Sequence, residues 1–175
     1  MLGIIALVAV VAVAVILIIA ARKPNNFSIV RRATMTAPPD RIFPYINDLS
    51  RNIEWSPLEN KDPNMKRTFT GPACGVGALY EFSGNNQVGA GRIAILESAP
   101  SSKVKMTLDM TKPMKANNVI TYTLAPKGAE TEVSWAMEGS RPFFIKVMCI
   151  FFDMDGMVGK EFEKGLATLK TLVEK

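Results

Sequence analysis

The chain has 175 residues, with 21 basic and 16 acidic side chains for a formal net charge of +5, two cysteines and no histidine. Without histidine, Ser-His-Asp and Cys-His nucleophilic sites and imidazole metal ligands are excluded, and the widely separated Cys74 and Cys149 neither frame a disulfide fold nor match zinc spacing. The cations are scattered and no nucleic-acid motif is present, which excludes a nucleic-acid binder but suits a surface near anionic lipid.

From Met1 to Ala21 every residue except Gly3 is Ala, Val, Ile, Leu or Met. At about 1.5 Å of rise per residue this helix is roughly 30 Å long, the thickness of a bilayer's hydrocarbon layer. A cleaved signal peptide is the competing reading. It fits less well, because no Lys or Arg precedes the run, the run exceeds a signal core, and Ile19-Ala20-Ala21 is a poor cleavage site. Residues 1–21 are therefore expected to be a single-pass anchor in the cell (inner) membrane. Residues 22–26, Arg22-Lys23-Pro24-Asn25-Asn26, make a polar tether, and the positive-inside tendency places the rest in the cytoplasm.

A single domain is expected over 27–175. Residues 27–36 read as a strand. Ala37-Pro38-Pro39-Asp40 then opens a helix with an apolar side of Ile42, Phe43, Tyr45 and Ile46, shortened or kinked by Pro44. A second short helix spans Leu49 to Trp55 and ends before Pro57.

Turn signals at Gly71-Pro72, Gly84-Asn85-Asn86, Ala99-Pro100-Ser101 and Pro126-Lys127-Gly128 then punctuate a series of strands. Their alternation describes a sheet with one buried and one wet face. Ala78, Tyr80 and Phe82 share the inner face. So do Val104, Met106, Leu108 and Met110, and so do Thr131, Val133, Trp135 and Met137. Glu81, Asp109, Glu132 and Glu138 fall on the opposite face. Gly75-Val76-Gly77 and Gly89-Ala90-Gly91 lack the strand-then-helix setting of a phosphate loop and read as strand starts and bulges.

Phe143 to Phe152 is too short to cross a bilayer and is interrupted by Lys146. It reads as a helical turn or two that serves as a movable gate facing the lipid surface. After Gly156 the period becomes helical, with Val158, Phe162, Leu166, Leu169 and Val173 on one side. Gly165 falls near that side, where glycine costs roughly 1 kcal/mol relative to alanine, so a strand backbone or a ligand is expected to come close.

Several stretches, in this order and spacing, resemble the START-like helix-grip superfamily (SRPBCC), specifically its polyketide cyclase/dehydrase and lipid-transport group. They are "TAPPDRIFPYINDLSRNIEWSP", "DPNM", "GPACGVGALYEFSGNNQVGAGRIAI", "TEVSWAMEGS" and "MDGMVGKEFEKGLATL". The likeness is nearest to membrane-anchored bacterial members, some of which add an effector-binding domain that is not expected here. It implies an α+β helix-grip fold: a curved antiparallel sheet of six or seven strands wrapped around a long C-terminal helix, enclosing an elongated apolar cavity.

No catalytic residue, metal site or cofactor is expected. The candidate ligand-binding residues are Trp55, Tyr80, Phe82, Met106, Leu108 and Tyr122 from the first part of the domain. From the rest come Trp135, Met137, Met148, Phe152, Met157 and Phe162. Methionine and aromatic side chains adapt to an irregular apolar guest, and tyrosine or tryptophan can orient one polar group on it. The expected function is membrane-tethered binding of a hydrophobic small molecule or lipid, as carrier or sensor. A polyketide cyclase/dehydratase-like enzyme is one alternative, favoured if Arg92, Asp109 or Glu138 lay inside the cavity. A protein-interaction module is another, favoured by a filled core.

Overall fold

A computed structural model describes residues 1–175, apart from the side chain of Leu2. Helix α1, Leu2–Arg22, is apolar up to its closing Arg22, with a mean hydropathy of 3.4 over its most apolar 18 residues. It projects from the remaining structure with nearly all of its side chains uncovered. Its length and composition are compatible with a single-pass anchor and equally with a signal sequence.

Strand β1, Asn26–Met35, follows directly and leads to α2, Pro39–Asn47, with proline in the first turn, where a missing N–H is harmless. Ile42 and Ile46 anchor α2 in the core. The single short helix expected next is two pieces. A 3-10 turn covers Leu49–Arg51, and one α turn, α3, covers Asn52–Trp55. Asp48 starts the first piece by accepting from the Ser50 N–H at 2.9 Å.

Six further strands complete the chain's sheet: β2 Lys66–Thr70, β3 Leu79–Ser83, β4 Ala90–Ala99, β5 Lys103–Lys112, β6 Ala116–Lys127 and β7 Glu130–Ser140. The order across the sheet is β1-β7-β6-β5-β4-β3-β2, antiparallel throughout. The first strand thus lies beside the last, and residues distant in sequence meet along that seam. Ile29 is opposite Met137, and Arg31 opposite Trp135. A register shift between Ala90 and Gly91 bends β4, at the glycine pair that reads as a bulge.

Helix α4, Phe143–Phe151, precedes the long α5, Met154–Val173. The final helix begins ahead of Gly156 because Asp153 caps it, its carboxylate accepting from the Gly156 N–H at 2.9 Å. Arg31 ties β1 to α5 through Asp155 and Glu163, each at 2.9 Å. The C-terminal half of α5 packs solidly: Leu166, Leu169 and Val173 are 1 % exposed or less. Its N-terminal half stands off from the sheet, and the space left there is the candidate site.

Candidate ligand-binding cavity

Four aromatic side chains from four elements build one wall. Trp55 of α3 is locked by its indole N–H, which donates to the Tyr45 carbonyl at 2.9 Å. Its ring meets Tyr122 of β6 and Trp135 of β7 edge-on, at centroid distances of 5.9 and 5.6 Å. Phe162 of α5 stacks on Trp135 at 4.1 Å. Alternation along β6 and β7 aims Tyr122 and Trp135 to the same face, and the helical period brings Phe162 down onto them.

These residues enclose a cavity of about 250 Å³, together with Phe82, Ile93, Met106, Leu108, Ile120 and Met137 from the sheet and Val158 from α5. Its few polar members are Asn52, Ser56, Lys61 and Glu161. At the rim the Glu161 carboxylate pairs with Lys61 at 3.1 Å and Lys164 at 3.0 Å. Partial burial pushes the Glu161 pKa up, but the two lysines outweigh it and hold it below the usual carboxylate value. Glu161 therefore stays ionised in a salt bridge, which suits a rim and not a general base.

Inside, two groups are unusual. The indole N–H of Trp135 is buried with no hydrogen-bond partner. Burial alone raises the Tyr122 hydroxyl well above the ordinary tyrosine value, so it stays protonated. A buried donor without a partner is unfavourable by about 1–3 kcal/mol.

A second cavity, of about 490 Å³, lies beyond Met137 and Val158, which line both. Its walls come from Phe27 and Ile29 of β1, the turn around Met114, and Phe144, Ile145 and Cys149 of α4. Lys115 and Arg141 supply its cationic groups, the Arg141 guanidinium lying 5.5 Å from the centre of the Phe27 ring. The hollow is thus two compartments, divided by one flexible thioether and one branched side chain.

Of the residues expected to line the hollow, Trp55, Phe82, Met106, Leu108, Tyr122, Trp135, Met137 and Phe162 do so. Four do not. Tyr80 is buried on the inner face, but its hydroxyl donates to Glu59 at 2.6 Å, within a cluster that Arg67 completes at 2.7 Å. Met148 lines neither cavity. Phe152 and Met157 are 51 % and 59 % exposed. The side of α4 turned toward the second cavity carries Phe144, Ile145 and Cys149, which leaves Met148 off it; Phe152 lies in the link between α4 and α5, and Met157 precedes Val158, which takes the inner side of α5.

Gly165 is approached by side chains and not by a strand backbone. A Cβ there would fall 2.8 Å from the Trp135 ring and 3.0 Å from the Pro57 ring. The lining residues outside the expected ligand-binding set are Ile93, Met110 and Ile120 on strands, Val158 and Glu161 on α5, Asn52 on α3, and Ser56, Pro57, Leu58 and Lys61 in the turns after it, where no period points inward. Glu161 was findable, three residues after Val158 on the same side of α5. Arg92 and Asp109 pair with each other at 3.1 Å on the wet face, and neither they nor Glu138 line the first cavity.

The description "polyketide cyclase / dehydrase and lipid transport" belongs to the family that matches residues 26–174. Comparison with curated proteins finds no match. Among solved structures, the chain is similar to protein CV1439 from Chromobacterium violaceum, at 20% identity and a TM-score of 0.60, over 87% of this chain and 99% of that one. Protein MLL2253 from Mesorhizobium loti is similar at 18% identity and a TM-score of 0.62, over 85% and 97%. The Aha1 protein from Colwellia psychrerythraea, solved as a dimer in solution, is similar at 17% identity and a TM-score of 0.60, over 85% and 96%. At such identities these neighbours speak to the fold, and it is the fold derived above: an antiparallel sheet gripping its last helix. By its family match over nearly the whole length after α1, the chain belongs to the polyketide cyclase/dehydrase and lipid transport family, with a START-like helix-grip fold.

Proposed function

We propose that the protein binds a hydrophobic small molecule or lipid non-covalently between the sheet and α5, as a carrier or sensor. In this reading residues 1–21 hold it in a membrane and residues 22–26 tether the domain over 27–175. The observation that carries the reading is the lining of the inner cavity. Aromatic, methionine and aliphatic side chains form it, and its only carboxylate is held in a salt bridge at the rim. Apolar area withdrawn from water supplies roughly 25 cal/mol per Å², so such walls favour a greasy guest without any covalent chemistry.

The two compartments also bear on guest size. The inner one alone is smaller than the roughly 300–1,000 Å³ of a drug-sized pocket, whereas the two joined fall within that range. An elongated guest that displaces Met137 fits this partition best, since an unbranched thioether chain adopts new rotamers readily.

The test is to purify residues 25–175 from cells, extract with organic solvent and analyse the extract by mass spectrometry. A passenger present in proportion to the protein is expected. A domain that is empty, and that also leaves an apolar fluorescent probe unbound, overturns the proposal.

A further inference from the structure

Helix α4 is built inside out. Its only cation, Lys146, is the one member classed as buried, at 6 % exposed, while Phe143, Phe144 and Phe151 are 50 %, 59 % and 63 % exposed. Phe152 and Met157, just beyond it, extend the same uncovered surface at 51 % and 59 %. A helix facing water does the reverse. The inverted arrangement is held in place by the tether. The Lys146 ammonium donates to the Asn25 side chain, and Lys23 donates to the Cys149 carbonyl at 3.2 Å. The Arg141 N–H donates to the Asn25 carbonyl, so the start of α4 is fixed to the same short segment. Ala20, near the end of α1, is fully covered, and α4 packs against α1 there.

From this we infer that α4, with Phe152 and Met157, is seated in the surface layer of the same bilayer that α1 enters. The inference rests on the membrane-anchor reading of α1. The occupant follows from continuity: the aromatic surface begins where the apolar α1 ends, and the side chains of α1 are themselves uncovered along nearly its whole length. Charge agrees, because Arg22, Lys23 and Arg141 gather at the same level, where anionic headgroups lie. Phenylalanine and methionine inserted to the headgroup and acyl boundary, with cations just above, is the pattern of an interfacial helix. Phe144, Ile145 and Cys149 also line the second cavity, so seating α4 in this way opens that cavity at the lipid surface, where a bilayer-derived guest would enter.

The full chain is reconstituted in vesicles of phosphatidylcholine and phosphatidylglycerol that contain a phosphatidylcholine with a diazirine in its acyl chain. After irradiation, adducts are mapped by peptide mass spectrometry. Adducts are expected on Phe143, Phe151 and Phe152, which line neither cavity, as well as on α1. The double variant Phe143→Asp/Phe151→Asp, with circular dichroism unchanged, should lose the adducts around α4 and keep those on α1. Adducts confined to α1 overturn the seating of α4 and leave the anchor standing, while none on either element removes the anchor as well. Adducts only on Ile145, Cys149 and Met154 mean that the lipid sits in the cavity as a guest, and they overturn surface seating. Cross-links from 143–152 to a second copy assign the surface to self-association and overturn it too.

Discussion

The ring of Phe162 lies on the indole of Trp135 with 4.1 Å between centroids and 8° between planes. This one contact fixes how far α5 stands from β7, and with it the height of the inner cavity. Offset stacking of two buried rings contributes about 0.5–1.5 kcal/mol beyond the apolar area they remove from water.

Replacing Phe162 with alanine removes both the stack and the cavity's upper wall. A loss of about 3–5 kcal/mol in unfolding free energy is expected, as for other buried aromatic truncations. Chemical denaturation followed by tryptophan fluorescence measures it. A loss below about 1 kcal/mol would mean that the site collapses to fill the gap and that Phe162 does not set its height.

Gly165→Ala sets two effects against each other. Alanine gains roughly 1 kcal/mol in helix propensity. Its methyl, however, would sit 2.8 Å from the Trp135 ring, which Phe162 already holds by stacking on it. Overpacking of about 1–3 kcal/mol should win, giving net destabilisation by thermal unfolding. A stabilised variant would show that Trp135 is free to shift.

Trp135→Phe tests the unpartnered indole N–H. Removing that donor relieves about 1–3 kcal/mol, which offsets the packing lost with the smaller ring, so the change in stability of the empty protein should stay within about 1.5 kcal/mol. A loss well beyond that would mean that the packing of the indole ring outweighs its unpartnered N–H.

Tyr80 gives the protein an alkaline limit. Burial first, and then the Glu59 carboxylate, raise its folded pKa well above the ordinary tyrosine value of 10.0. Above about pH 10 the unfolded chain releases this proton while the folded chain retains it, so the unfolded state binds fewer protons and stability falls as pH rises. The contribution is complete below pH 10.0 and is lost progressively above it. Denaturation midpoints taken from pH 9 to 12 should decline, and Tyr80→Phe should flatten that decline while lowering stability near neutral pH. An equal slope in the variant would assign the alkaline loss to other groups, among which buried Tyr122 comes first.

The strands that face one way into the core were legible. In β5, Val104, Met106 and Leu108 alternate with Lys105, Thr107 and Asp109, and the same rule found the inner faces of β3 and β7. Strand β2 was not legible. It is an edge strand whose residues are nearly all exposed, so its sequence carries no alternation; its Phe69 finds cover only by stacking on Tyr80 at 4.8 Å. The same limit explains Tyr80 itself. Periodicity shows that a side chain points inward, but the partner that turns its hydroxyl away from the cavity, Glu59, lies 21 residues earlier in a short 3-10 turn that carries no period of its own.

Sequence alone determined what is set within a few neighbouring residues. Alternation gives the faces of the strands, the four-and-three spacing gives the buried side of α5, and the unbroken apolar run gives α1. These are local properties, because side-chain direction follows from backbone period. Only the tertiary structure decided where the interior stays empty and which apolar side chains remain outside. A cavity is the space left over between packed elements, so it depends on contacts such as Phe162 on Trp135 and on Met137 and Val158 meeting across the hollow. The exposure of the α4 aromatics likewise follows from a distant partner, the tether, whose Asn25 side chain accepts from Lys146 and draws it inward.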